Sequence, residues 1–186
     1  MDIEPIAQEC TILDALMQVF DTRSKTFNLG DSHLQFRPED VSMILGLKCN
    51  GIAIDFSRKK ERCTLKEEFL MKGVDRTREC LLRTLMSMVG KKDSKKEESF
   101  VKLLLVYIMG SFLFPTTSST SPAWLAYYVE DLSMLDQYAW AQATYKWIMD
   151  DLPNAAARVK DKCSGKQPCI GYLRGCTVAL TIWFMK

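Results

Sequence analysis

At 186 residues, with 47% apolar and 26% charged residues, the chain can bury a sizeable core and sits in the ordinary globular range. Its net charge of +2 is nearly balanced, so no global basic field marks a nucleic-acid or membrane-surface protein. The longest apolar run, residues 103–114, falls short of the roughly 20 residues a bilayer span needs, so no membrane helix is expected.

In chain order, the first expected element is a helix over about residues 4–20. Pro5 suits a first helical turn, and Ile6, Cys10, Leu13, Leu16, Met17 and Phe20 recur at helical spacing. Phe27, Leu29, Leu34 and Phe36 then alternate with polar residues around Gly30-Asp31, the pattern of a short β-hairpin. Pro38 opens a short helix with Glu39 and Asp40 at its positive end; Gly46 and Asn50-Gly51 stop it, and Ile52 and Ile54 suit one more short strand. Thr64 with Glu67 reads as a capping box for a helix to about Lys72. Asp75 is expected to cap the next helix, whose inner face takes Cys80, Leu81, Leu82, Leu85, Met86 and Val89. Residues 90–99 form a solvated charged loop or the frayed start of the following helix, with Ser94 and Glu97 as a second capping box.

The strongest signals are residues 101–115 and 133–153. Apolar side chains fall on nearly every face of each, so each reads as a helix buried on most of its surface. Between them, residues 115–122 read as a surface loop, and Ser121-Pro122 start a helix over 123–131. Pro153 separates the second block from a short Ala-rich helix over 154–161. A Gly/Pro loop at 164–168 follows, and the chain closes on a terminal apolar helix. No repeat and no dividing linker appears, so one domain over 1–186 is expected. The fold class is mainly α: a compact multi-helix bundle with a small N-terminal β-hairpin, its core built by residues 101–114, 133–149 and 170–185.

The seven cysteines are odd in number and irregularly spaced, and the acidic start of the chain lacks a secretory pattern. They read as reduced thiols of an intracellular protein. Cys163, Cys169 and Cys176 lack the paired spacing of a structural zinc site, and a Cys163–Cys169 disulfide suits no reducing compartment. His33, the single histidine, reads as a polar strand residue rather than half of a Cys–His pair. No G-x-S-x-G, Walker A or G-x-G-x-x-G motif is present. Adjacent carboxylates such as Glu67-Glu68, Glu97-Glu98 and Asp150-Asp151 point apart on a helix and read as solvated charges. No catalytic residue, metal ligand or cofactor site is assigned.

Two basic clusters stand out: Arg58, Lys59, Lys60 and Arg62, and Lys91, Lys92, Lys95 and Lys96. Each is a candidate phosphate-binding or nuclear-import patch, although acidic residues interleave and no aromatic residue stands ready to stack a base. Most of the later aromatic residues suit a core. Trp124, Tyr128 and Trp147 are the candidates for an exposed protein-binding anchor, because Trp and Tyr concentrate binding energy at interfaces.

Four blocks in order carry a family resemblance. Phe- and Leu-rich strands lead into Glu39, Asp40, Val41, Ile44, Leu45, Gly46, Leu47 and Gly51; a buried helix ends in Phe114-Pro115. A helix then bears Tyr138, Ala139 and Trp140, and a closing segment bears Gly175, Ala179, Leu180 and Trp183. Together they resemble the plant mobile domain and its sister transposon-encoded plant domain of unknown function. Arg37-Pro38 departs from that pattern, where Thr and a variable residue are commoner. The resemblance implies a mostly helical fold of transposon ancestry without established catalytic residues. It also implies a nuclear role, in some members linked to transposon silencing. The expected function is thus a non-catalytic module that binds protein partners in the nucleus or cytoplasm. The alternative is direct binding of DNA or RNA by the Lys/Arg clusters. An enzyme using a cysteine or His33 ranks last.

Overall fold

The computed structural model describes residues 10–57, 63–70, 76–90, 94–163 and 173–186. Eight α-helices and one small sheet make up the regular structure of these residues: α1 (Cys10–Val19), β1 (Phe20–Asp21), β2 (Thr26–Leu29), β3 (Ser32–Leu34), α2 (Pro38–Leu45), α3 (Thr64–Phe69), α4 (Arg78–Met88), α5 (Ser94–Ile108), α6 (Leu125–Val129), α7 (Trp140–Cys163) and α8 (Thr177–Met185). A π-helical turn, Met109–Leu113, extends α5, and a 3₁₀ helix, Leu132–Gln137, precedes α7. The mainly helical class expected from the sequence is the observed one.

The hairpin forms around Gly30-Asp31 with Phe27 opposite Leu34, Asn28 opposite His33 and Leu29 opposite Ser32. Phe20 and Asp21 add a third antiparallel strand against Phe27 and Thr26, so the sheet exceeds the expected hairpin by one edge. In α2 the Arg37 N–H donates to Asp40 Oδ2 (2.8 Å), and Gly46, at φ +66°, closes the helix in the left-handed region. The strand expected at Ile52 and Ile54 is a single parallel bridge, Ile52 to Tyr138.

Two apolar clusters fill the interior. One joins α3, α5, α6 and the inner side of α4 with Trp124, Tyr128, Tyr138 and Trp140. The other joins α1, the sheet, α2, the rest of α7 and α8. α7 serves both: Trp140 and Ala143 face the first, while Ala141, Ile148, Leu152, Ala155, Ala156 and Val159 face the second. Leu45 and Leu47, at the end of α2, pack against each cluster.

Several expectations are corrected. Residues 133–150 do not form one helix: the 3₁₀ turn ends at Gln137, Tyr138 and Ala139 are extended against Ile52, and α7 begins at Trp140. Pro153 does not end a helix either, for α7 runs through it as a 24-residue helix. Proline inside a helix costs about 3 kcal/mol. Here the buried stripe of Ile148, Leu152, Ala155, Ala156 and Val159 continues at helical spacing across it and offsets that cost. The α3 cap is Cys63 rather than Thr64, and the α4 cap is Thr77, whose Oγ1 accepts from the Cys80 N–H (3.3 Å). Asp75, Lys72, the loop at 164–168, Cys169, residue 170 and the start of the first helix at 4–9 lie outside the described residues. Asp151 is no solvated charge. Its buried side chain accepts from Arg174 Nε (3.2 Å) and the Arg174 N–H (3.0 Å), with Arg158 Nη2 at 3.5 Å.

Gly51 marks the tightest approach between α7 and the segment after α2. Its φ is +148°, and a Cβ there would overlap the Gln137 carbonyl oxygen. Gly51→Ala should therefore cost roughly 1–3 kcal/mol from backbone strain, and more from the clash. Gly90→Ala, at φ +81° in open space, is expected to cost less. Urea unfolding of both variants checks the ranking, and equal losses would contradict it.

A candidate interaction face on α4 and α5

α4 meets the core along one side only. Leu81 and Leu85, one turn apart, are buried, as the expected inner face required. Leu82, Met86 and Val89, assigned to that same face, instead point outward and are 46%, 69% and 64% exposed. Successive residues lie about 100° apart on a helix, so 81/85 and 82/86/89 cannot both turn inward against a single neighbour.

α5 and the turn that extends it also leave a few apolar side chains outside. Leu103 and Val106 are buried, whereas Val101 and Ile108 are exposed, as is Phe112 on the π-turn. Three of the fourteen residues of the 101–114 block are thus exposed and the other eleven are buried or half-buried, so the block is covered on most of its surface, as expected. Within the π-turn, Gly110 lies so close to Ser121 that a Cβ would overlap its side chain. The Ser121 hydroxyl donates to the Val106 carbonyl (3.3 Å), so part of the 115–122 loop is packed inside.

α4 and α5 pack against each other. Where their outer sides meet, Met88, Val89, Gly90, Lys96, Glu97, Phe100 and Val101 line an open cleft of about 390 Å³. Six of the eleven exposed large apolar side chains among the described residues belong to α4, α5 and their ends. Apolar residues concentrated in this way, with charged side chains at the border, mark a protein contact more often than an inert surface. The sequence signal was present as a spacing of four and three (82, 86, 89), but it does not say which side of the helix is covered.

The three aromatic residues singled out as an anchor lie elsewhere. Trp124 and Tyr128 are buried and Trp147 is half-buried. They belong to a stack in which Trp124 touches Phe56, Phe114, Tyr128 and Trp147, with centroids 4.9–6.0 Å apart. Tyr128 Oη accepts from the Asp55 N–H (2.7 Å) and donates to the Asp55 carbonyl (3.1 Å), which ties the segment after Gly51 to α6. Burial of rings in edge-on contact stabilises the interior and removes them from the surface.

Of the basic residues, Arg58, Lys59, Lys60, Arg62, Lys91 and Lys92 lie outside the described residues, and Lys95 is placed only as part of the first turn of α5. Lys96 is exposed beside Glu97 and Glu98. Arg83 pairs with Glu79 (2.7 Å) and Lys102 with Glu98 (2.7 Å), so described cations on this hairpin already face carboxylates. His33 is exposed on β3, with Nδ1 2.7 Å from Asn28 Oδ1 across the strand pair. Cys176 is buried, and burial pushes its thiol up to about 11, which keeps it protonated at neutral pH. No group of three or more His, Cys, Asp or Glu residues suited to a metal ion occurs among the described residues. No helix of these residues is long and apolar enough to cross a membrane.

A polar contact the sequence did not reveal holds the base of this hairpin. Glu130 Oε2, just beyond α6, accepts from the Leu65 N–H (3.2 Å) and the Cys63 thiol (3.3 Å), capping α3 from a distant part of the chain. Burial pushes the Glu130 carboxyl up, but the Leu65 N–H, the Cys63 thiol and nearby Lys102 outweigh it and hold it below its ordinary value of 4.5.

The chain matches a family described as a domain of unknown function, DUF8566, over residues 2–181. It is 27% identical over 184 residues to the Arabidopsis thaliana protein named MAINTENANCE OF MERISTEMS. That alignment covers 93% of this chain and 36% of the relative, so the chain spans about a third of that protein's length. No solved structure matches. Both matches fit a plant domain family.

A carboxyl whose folded pKa lies below its unfolded one stabilises the fold at neutral pH, and that contribution is lost as pH falls through the folded pKa. Glu130→Gln is therefore expected to melt lower than wild type at pH 7 and to lose less on acidification below its ordinary value of 4.5. Thermal melts of both proteins across that range check this, and parallel curves would contradict the capping role.

Proposed function

The chain belongs to the DUF8566 family, and on that premise we propose that it is a non-catalytic interaction module which binds protein partners through the outer side of α4 and α5. The observation that carries this reading is the exposed row of Leu82, Met86 and Val89 beside Val101. Desolvating apolar side chains is the dominant favourable term in most protein association, and charged residues at the rim supply register rather than affinity. The likeness to MAINTENANCE OF MERISTEMS supports a regulatory role in a plant. The four-block resemblance supports kinship with the plant mobile domain and its transposon-encoded sister. It also supports a nuclear setting, with chromatin-linked regulation or transposon silencing as the process served. The alternative, direct binding of DNA or RNA, rests on Arg58, Lys59, Lys60, Arg62, Lys91, Lys92, Lys95 and Lys96, whereas the apolar row of α4 offers nothing to phosphates.

Met86→Glu with Val89→Glu replaces two exposed side chains, so folding is expected to be unchanged within about 0.5 kcal/mol. In affinity capture from plant nuclei with quantitative mass spectrometry, the double variant should lose proteins that wild type retains. Retention of the same proteins by both would contradict this assignment. So would steeply salt-dependent DNA or RNA binding abolished by changing Lys91, Lys92, Lys95 and Lys96 to Glu.

A further inference from the structure

We propose that Ser119 is a phosphorylation site and that the Arg78 guanidinium receives its phosphoryl group. Ser119 lies in the loop between the π-turn and α6, at φ +55°, in the left-handed region that residues other than glycine seldom occupy. This loop is fastened to the start of α4. The Arg78 N–H donates to the Ser119 carbonyl (3.1 Å), and the Ser121 N–H donates to the Arg76 carbonyl (2.8 Å). Between these bonds a single antiparallel bridge joins Thr77 to Thr120, so the register sets Ser119 opposite Arg78.

The hydroxyls of the loop differ in what they touch. Ser118 Oγ lies 3.2 Å from Thr116 Oγ1 and 2.8 Å from Thr120 Oγ1, so these three satisfy one another. Ser121 is buried, with its hydroxyl bonded to the Val106 carbonyl. Thr117 and Ser119 are exposed, and their hydroxyls make no hydrogen bond to the described residues. Of these two, only Ser119 stands across the bridge from an arginine.

Arg78 is half-buried, and its Nε is shielded from water without a hydrogen-bond partner. A buried donor left unmade costs free energy. The adjacent carboxylate, Glu79, is engaged by Arg83 (2.7 Å). Directly opposed residues on paired strands have Cβ atoms about 4.5–5.5 Å apart, a gap the arginine stem spans. Phosphoserine carries nearly two negative charges and three acceptor oxygens at neutral pH, and a guanidinium presents its N–H groups in a fork that matches them. In the transfer, carried out by a protein kinase with ATP, Ser119 Oγ attacks the γ-phosphorus. The new O–P bond replaces the bond to the β–γ bridging oxygen, ADP leaves, and the hydroxyl proton passes to the kinase's base. The product clamps the loop to the first turn of α4.

The full 186-residue chain, incubated with ATP and a plant nuclear extract, should gain phosphate at Ser119, as mapped by mass spectrometry of its peptides. Phosphate on other residues alone, or on none, overturns the site. The receiver is read by phosphorus NMR on the same chain carrying phosphoserine at 119, introduced during translation. Its second ionisation, at about pH 6 for a phosphoserine in water, should fall to about 5.5 or below and return to its ordinary value in Arg78→Gln. A group whose folded pKa is depressed stabilises the fold above its unfolded pKa. The phosphorylated chain should therefore melt about 2–4 °C above the unmodified one at pH 7.5 and lose that gain as pH falls through the folded pKa. An ordinary ionisation without a gain in melting temperature overturns the clamp. That outcome is read with Arg78 in place, so it stands whether or not Arg78→Gln folds.

Discussion

The fold depends on how the N-terminal end of α7 is closed. A helix begins with four N–H groups that have no partner within it, and burying them bare costs free energy. Here the chain after α2 supplies the acceptors. The Lys48 carbonyl accepts from the Ala141 N–H (3.0 Å), and the Ile52 carbonyl accepts from the Ala139 N–H (3.0 Å). The Ile52 N–H donates to the Gln137 carbonyl (2.7 Å), and Lys48 Nζ donates to the Asp136 carbonyl (2.9 Å). Gly51 is the residue that lets the two backbones come this close. With that end pinned, α7 stands between the two apolar clusters and gives each a wall.

The other long-range polar contacts fasten separate segments to that frame. Asp151, on α7, holds the Arg174 segment before α8 through a side-chain and a backbone donor. Arg174 also lies over the Trp147 ring, 5.4 Å from its centroid. Glu130 fastens α3 to the end of α6, and Tyr128 fastens the Asp55 segment to the same helix. Each of these groups is at least partly buried and hydrogen-bonded, so removing one partner would strand the other. The frame leaves Leu82, Met86 and Val89 of α4 and Val101 and Ile108 of α5 outside the core.

Much of this was legible in the residues. The hairpin at Gly30-Asp31, the capped helix from Pro38 to Gly46 and the inward pair Leu81/Leu85 all follow from local patterns, because turn chemistry and helix period act over a few residues. What escaped depends on distant partners. Nothing near Thr64 announces that Glu130 caps α3, and nothing near Asp151 announces Arg174. Pro153 looks like a stop because its local cost is certain, whereas the packing that offsets it comes from α1 and α2. The outer side of α4 is ambiguous in the sequence for a related reason. Leu82, Met86 and Val89 fit an inner stripe as well as Leu81 and Leu85 do, and only the placement of α5 decides between them. Trp124 and Tyr128 were candidates for the surface because their rings suit interfaces, but they suit an aromatic core equally.

Native-state hydrogen exchange tests the central claim, that the segment after α2 closes α7 and thereby holds both clusters. The amides of Ile52, Ala139 and Ala141 should exchange only through the global unfolding reaction, at the same opening free energy as the buried middle of α7. Exchange of those three amides through a low-energy local opening, with the α7 interior still protected, would contradict the account.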